Sequence, residues 1–250
     1  MLSVSIITVV YNRANVVKCA LDSVSSQSYE IEHIVIDGGS DDGSVEIITN
    51  SASPNTKIVS EPDQGIYDAL NKGISMANGD VIGILHSDDY FADSAVVHDV
   101  MLKFSKYDFD MVYGDLNYVS NDEKGKVLRH WRAGKFTAAK LRFGWMPPHP
   151  TLFVRRCVME EYGKYDCSFK IAADFDAMLR WFSIKGLKIG YIPRVLVNMR
   201  VGGVSNGSAQ KNINKFFEDY RIYKKNNIGG TYSLILKKIW KLGQFFHNQP

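Results

Sequence analysis

The chain has 250 residues, enough for one large domain with a sizeable core. Apolar residues make up 45% and charged residues 23%, which excludes a disordered chain; the net charge of only +3, with no basic stripe interleaved with aromatics, excludes a nucleic-acid binder. Cys19, Cys157 and Cys167 lack metal-ligand spacing and fit reduced thiols, the opening apolar run is too short for a signal-peptide core, and no run reaches the ~20 apolar residues of a spanning helix. These features point to a cytoplasmic protein.

The first half alternates β-branched runs with helical periodicity. Strands are predicted at Val4–Val10, His33–Asp37, Ile58–Glu61, Val81–Leu85 and Met111–Tyr113. Helices are predicted at Asn15–Ser25, Ser44–Asn50, Ile66–Met76 and Ala95–Lys106. This order means an α/β fold, a mostly parallel Rossmann-like sheet flanked by helices. Beyond Tyr118 the pattern loosens: a polar turn at Ser120–Lys126 and a shaped loop over Trp131–Pro150 precede a helix at Phe175–Ser183 and a strand at Lys188–Ile192. A helix from about Gln210 to Lys225, a linker at Asn226–Gly230 and a last helix at Tyr232–Phe246 complete the chain.

Ligands of such sheets bind beyond the carboxyl ends of the strands. Those ends are acidic here: Asp37-Gly38-Gly39-Ser40, Glu61-Pro62-Asp63 and His86-Ser87-Asp88-Asp89. Adjacent carboxylates at the end of a buried strand are costly without a compensating charge, which a divalent cation on a diphosphate would supply; the alternative is a pair that caps the next helix. Asp37 is placed to accept hydrogen bonds from a base or ribose, or else marks an ordinary strand–turn–helix corner. The polar cluster around Asp63 precedes a helix whose N-terminus can face an anion or simply be capped. Asp174, ahead of an amphipathic helix, is an N-cap or a general base.

In order and spacing these segments resemble family 2 glycosyltransferases of bacterial surface-polysaccharide pathways. The match runs through Val4–Asn12, His33–Ser40, Ser60–Gly73, Leu85–Asp89, His149–Phe153 and Ala173–Asp176, and spans roughly residues 3 to 205. The resemblance implies a GT-A fold and metal-dependent, inverting transfer of a sugar from a nucleoside diphosphate, with uridine as the nucleoside. The acceptor would be a hydroxyl of a glycan or lipid-linked molecule. The alternative is a non-catalytic sugar-nucleotide or glycan-binding module on the same fold.

The resemblance also implies roles. Tyr11 lines the base pocket, Asp37 binds uracil or ribose, and Asp63 and Arg200 belong with the donor, Arg200 at its diphosphate. Of Asp88 and Asp89, either of which can be the ligand, one holds Mn²⁺ or Mg²⁺ on the diphosphate and the other reaches the ribose; Asp174 is the catalytic base, and Trp131, His149 and Asp176 face the acceptor. Four positions depart from the family pattern: His86 stands where the first acid of D-x-D often stands, Val10 replaces a proline, Gly38 a second Asp and Ala173 a Glu.

The expected division is a glycosyltransferase domain over 1–226, with a donor half at 1–118 and an acceptor half at 119–226, followed by a basic amphipathic helix at 227–250. On that helix Tyr232, Ile235, Leu236, Ile239, Leu242 and Phe246 share a face opposite Lys237, Lys238 and Lys241. The pattern suits a helix lying on the inner face of the cell membrane, or one docked on protein with its lysines solvated.

Overall fold

The computed structural model describes residues 2–122, 125–202, 209–230 and 232–237. The first four strands, β1 (Val4–Val10), β2 (Glu32–Asp37), β3 (Lys57–Ser60) and β4 (Val81–Ile84), run parallel in the order β3-β2-β1-β4. Every residue of β1 and β4 is buried, as expected of strands covered on both faces. Alternate residues serve opposite layers. Ile7, Val9, Ile34 and Ile36 pack with Ala69, Leu70 and Ile74 of α3 (Ile66–Met76). Val4, Ile6 and Val81 pack with Ala20 and Val24 of α1 (Val17–Ser25) and with α4 (Val96–Lys106). Val35 meets Ile48 of α2 (Ser44–Ser51) and Leu21.

The second half of the sheet is mixed. β8 (Phe153–Arg155) lies antiparallel between β4 and β6 (Met111–Val119). β9 (Ile189–Arg200) runs parallel to β6, and the edge pairs β5 (Asp89–Phe91) with β9 and β7 (Val127–Trp131) with β6 are antiparallel. β6 and β9 are far longer than the periodicity predicts, because their distal ends carry polar residues and pair only with each other and with edge strands. β5, β7, β8, α5 (Ala138–Arg142) and α6 (Arg156–Tyr162) fall where no element is predicted, and all are short.

Helix α7 (Ala173–Ser183) buries Phe175, Ala177, Met178, Leu179, Trp181 and Phe182, and α8 (Ala209–Asn226) packs against it. Residues 232–237 form a helical turn, and the predicted remainder of the last helix, 238–246, lies outside the described residues. That turn docks on the domain: Leu234 is buried, Ser233 Oγ donates to the Arg142 carbonyl (2.6 Å), and Lys237 pairs with Asp219 (2.9 Å). Lys237 is therefore held against protein, whereas Tyr232 and Ile235 of the predicted apolar face point outward. No helix among the described residues is long and apolar enough to cross a membrane.

Candidate functional site

The ends of β1 and β2 are interlocked by side chains. Asp37 is fully buried, and its Oδ2 accepts the Gly39 and Ser40 N–H groups (3.0 Å each) and the Ser60 hydroxyl (2.7 Å). The Ser40 hydroxyl donates to Asp37 Oδ1 (2.5 Å) and receives the Asn12 N–H (2.8 Å). Asn12 itself takes a positive φ of 53°, which turns the chain sharply after Tyr11. Asp37 thus builds the turn that shapes the strand end.

Tyr11 stands 61% exposed at that edge. Gly38 leaves room for Asp63: a Cβ on it would come 2.4 Å from Asp63 Oδ2 and 3.4 Å from the Tyr11 ring, so the Asp63 carboxylate would have to move aside. The Asp63 carboxylate therefore fills the space a side chain at position 38 would take. Its Oδ1 accepts the Gly65 N–H (2.7 Å), just before α3 begins.

At the next strand end the two adjacent acids part company. Asp88 is half-buried, while Asp89, the first residue of β5, is 1% exposed and its Oδ1 has no hydrogen-bond partner. Burial, reinforced by the neighbouring Asp88 carboxylate, pushes the Asp89 carboxyl well above its ordinary range. Arg200, at the end of β9, donates to the Asp88 carbonyl (3.1 Å) and stacks over Tyr90 at 5.0 Å. His86 Nδ1 is also buried without a partner. Burial pushes this imidazole down against the opposing pull of Asp88 and Asp174. His86 therefore stands in the field of both Asp88 and Asp174.

Asp174 lies in the first turn of α7. Tyr67 of α3 donates its hydroxyl to Asp174 Oδ1 (3.1 Å) and to the Ile171 carbonyl (2.9 Å). Burial opposes ionisation of Asp174, but the Lys215 ammonium, the Phe175 N–H and the Lys237 ammonium outweigh it, and the carboxyl sits below its ordinary value. His149, in a short turn before β8, lies 5.9 Å from the His86 ring and is hydrogen-bonded through Nε2 to the Tyr165 hydroxyl (2.8 Å). Burial pushes His149 down to about 4. Tyr165 in turn is fixed by Asn71, which bonds both its N–H (3.0 Å) and its carbonyl (2.8 Å).

Two predicted acceptor residues are placed differently from His149. Asp176 is fully buried, pairs with Arg180 (3.3 Å) and Lys225 (3.2 Å), and accepts from Asn226 (3.2 Å). It ties α7 to α8 and cannot meet an acceptor: two residues along a helix from Asp174 is about 200° around it, so it points into the interior. Trp131 is half-buried at the end of β7, stacked on Tyr118 with centroids 6.3 Å apart.

Sequence reasoning misses Glu218. This α8 side chain accepts the N–H groups of Lys170, Ile171 and Ala172, each at 2.9 Å. It caps the start of α7 from another helix and sets the loop that carries Asp174. No local signal marks it, because its partners lie 46 to 48 residues away. Tyr67 is within a quoted segment, but nothing in its helical spacing indicates a partner on α7.

Among the described residues no group of three or more His, Cys, Asp or Glu side chains is arranged to hold a metal ion by itself. The carboxyl edge instead offers Asp88 and the orphaned oxygen of Asp89. Carboxylate oxygens completed by phosphate oxygens are the usual way Mg²⁺ is bound beside a nucleotide.

The class defined by this arrangement is an α/β enzyme with its site along the carboxyl edge of the parallel strands. Residues 5–162 match the profile of a family described as glycosyl transferase family 2. A PGL/p-HBAD biosynthesis glycosyltransferase of Mycobacterium tuberculosis is 29% identical over 243 residues, covering 94% of this chain and 90% of that protein. An uncharacterized glycosyltransferase of the same organism is 35% identical over 187 residues, covering 71% and 68%. Among solved structures, Staphylococcus aureus TarS 1–349 in complex with UDP superposes with a TM-score of 0.68 at 16% identity, over 98% of this chain and 70% of that one. The mannosyltransferase PcManGT from Pyrobaculum calidifontis, in complex with GDP-Man and Mn²⁺, gives 0.64 at 16% identity, over 100% and 76%. These likenesses establish the GT-A fold. The chain belongs to glycosyl transferase family 2 and is a glycosyltransferase.

Proposed function

We propose that this enzyme transfers a sugar, with inversion, from a uridine diphosphate donor to a hydroxyl of a glycan or lipid-linked acceptor in polysaccharide or glycolipid biosynthesis. The observation that carries the reading is the convergence at His86, whose imidazole feels both Asp88 at a strand end and Asp174 at the start of α7. On this reading a donor-binding acid and an acceptor-side base act on one imidazole, whose ring packs 5.9 Å from that of His149. The bound states of TarS with UDP and of PcManGT with GDP-Man and Mn²⁺ support a nucleotide donor and a divalent cation. The mycobacterial relative named a PGL/p-HBAD biosynthesis glycosyltransferase supports a biosynthetic role.

Residues 1–118 would hold the donor and 119–226 the acceptor. The exposed Tyr11 ring provides a face for the base, and the Asp63 carboxylate beside it offers an acceptor for a base or ribose donor group. Asp37 supports that pocket by holding its turn. Asp88 and Asp89 would hold Mn²⁺ or Mg²⁺ on the diphosphate, with Arg200 beside them. When bound, the cation neutralises charge that develops on the departing diphosphate.

The hydroxyl oxygen of the acceptor forms a bond to the anomeric carbon as the bond from that carbon to the diphosphate oxygen breaks. The hydroxyl proton passes to the Asp174 carboxylate. Asp174 is ionised at neutral pH because its carboxyl lies below its ordinary value, and the Tyr67 hydroxyl orients it. A base so placed contributes ~10²–10⁴-fold.

A panel of nucleotide sugars tests this reading. Release of a nucleoside diphosphate in Mn²⁺ or Mg²⁺, absent in chelator, is expected for at least one donor. Release of pyrophosphate, or donor binding without turnover in the presence of acceptor glycans, would overturn it.

A further inference from the structure

Helix α8 turns two unlike faces outward and inward. Inward, Asp219, Ile222 and Tyr223 are buried and Glu218 is bonded to the loop before α7. Outward, Ile213, Phe217 and Tyr220 are 49%, 60% and 44% exposed, spaced i, i+4 and i+7 so that they form a stripe along the helix. The turn at 232–237 lies alongside, joined through Lys237 to Asp219, and adds Tyr232 at 51% and Ile235 at 62% exposure. Most outward helix faces of a soluble enzyme are charged; this one is aromatic and aliphatic, and it lies on two adjacent elements.

Among the described residues of α8 the exposed charges are of one sign. Both acids of α8, Glu218 and Asp219, are turned inward and engaged, whereas Arg221 and Lys224 are exposed. The following residues 238–250 contain Lys238 and Lys241 and no Asp or Glu. An apolar stripe with Tyr and Phe, rimmed by cations, matches the boundary between acyl chains and anionic headgroups. A second copy of this chain fits less well, since a two-fold contact sets the same cationic rim against itself.

We infer that the outward face of α8, together with the turn at 232–237, docks the enzyme on an anionic bilayer surface. The same helix holds, through Glu218, the residues immediately before Asp174. Docking there brings the acceptor side of the site to the lipid surface; this last step rests on the function proposed above, whereas the docking face itself does not.

The test is co-sedimentation of the full chain with phosphatidylcholine vesicles, with and without phosphatidylglycerol. The variant is Phe217→Glu combined with Tyr220→Glu, both at exposed positions. Pelleting is expected only with anionic vesicles, reversed by salt, and reduced at least ~10-fold in the variant, whose uridine diphosphate binding and thermal stability stay at the wild-type level. Nucleotide binding is read separately, so failure of the donor assignment leaves the docking result interpretable. Three outcomes would overturn the proposal: equal pelleting of variant and wild type, no pelleting of the wild type, or a solution dimer dissociated by the variant without any effect on vesicles. A chain ending after Gly230 that loses all pelleting while the double variant keeps it would overturn it too, and would assign the contact to residues 231–250.

Discussion

The two halves of the site are held in place by different means. Asp37 finds its partners at one sheet edge: Gly39 and Ser40 in the turn that follows it and Ser60, 23 residues on, at the neighbouring strand end. Asp174 depends on partners from remote elements, Tyr67 at a separation of 107 residues and a loop that Glu218 pulls into position. The donor edge is a strand–turn–helix corner, whose geometry follows from one acid and two glycines. The acceptor edge is assembled only when α3, α7 and α8 have packed. A change on the donor side should therefore act locally and chemically, whereas one on the acceptor side should pass through tertiary packing.

The largest expected effect sharpens that contrast on the donor side. Asp88→Asn should remove measurable turnover while leaving the fold intact, since Asp88 is half-buried and its carboxylate is not part of the core. Turnover in excess chelator would contradict the account behind it. Circular dichroism and steady-state nucleoside diphosphate release check both halves of the statement. Next, Asp174→Asn should lower transfer by at least ~10²-fold with donor affinity near normal. Transfer at the wild-type rate would remove Asp174 from the chemistry.

Glu218→Gln probes the remote support. The amide keeps an oxygen for one or two of the three N–H groups but loses the charge that strengthens them. We expect kcat to fall roughly 10-fold while the donor KM is unchanged, because the loop moves and the donor edge does not. Equal losses in kcat and donor affinity would show that the two halves are not separable in this way.

The smallest effect concerns stability and pH. His33 of β2 is buried, shares a 3.0 Å hydrogen bond with Thr8 of β1, and burial pushes it down to about 4. The unfolded chain, with an ordinary imidazole, binds the proton more readily, so stability falls as pH drops from about 6.5 to about 4, by up to ~3 kcal/mol. His149, on the acceptor side and also pushed down to about 4 by burial, adds a slope of the same sign. Urea midpoints across that range should flatten in part for His33→Gln. A slope unchanged in the variant would place the pH dependence in the acceptor half.

How much of this could be read from the sequence follows the same division. The parallel strands and α3 are legible because fully buried strands read as apolar runs and α3 has a clean helical period; its bounds, Ile66–Met76, coincide with the prediction. The clustering of Asp37, Asp63 and Asp88 at one edge follows from strand order alone. The burial of Asp89 and Asp176 does not, because adjacent or near-adjacent acids look alike in sequence and differ only in which way the backbone aims them. β5, β7 and β8 are three to five residues long and take their structure from pairing with β6, β9 and β4. Glu218 was illegible for the reason given by its hydrogen bonds: its meaning lies in a loop on another helix. On the last helix, Tyr232 and Ile235 of the predicted apolar face are exposed, whereas Lys237, expected on the side facing headgroups or solvent, lies 3.2 Å from the centre of the Phe175 ring.

The account's central claim is a direct displacement in which Asp174 takes the acceptor proton on the side opposite the leaving diphosphate. The most direct measurement is the anomeric configuration of the first-formed product by proton NMR, using an α-linked uridine diphosphate sugar, with Asp174→Asn run in parallel. The account predicts a β-linked product from the wild type and none at comparable rate from the variant. An α-linked product, or an undiminished rate in the variant, would contradict it.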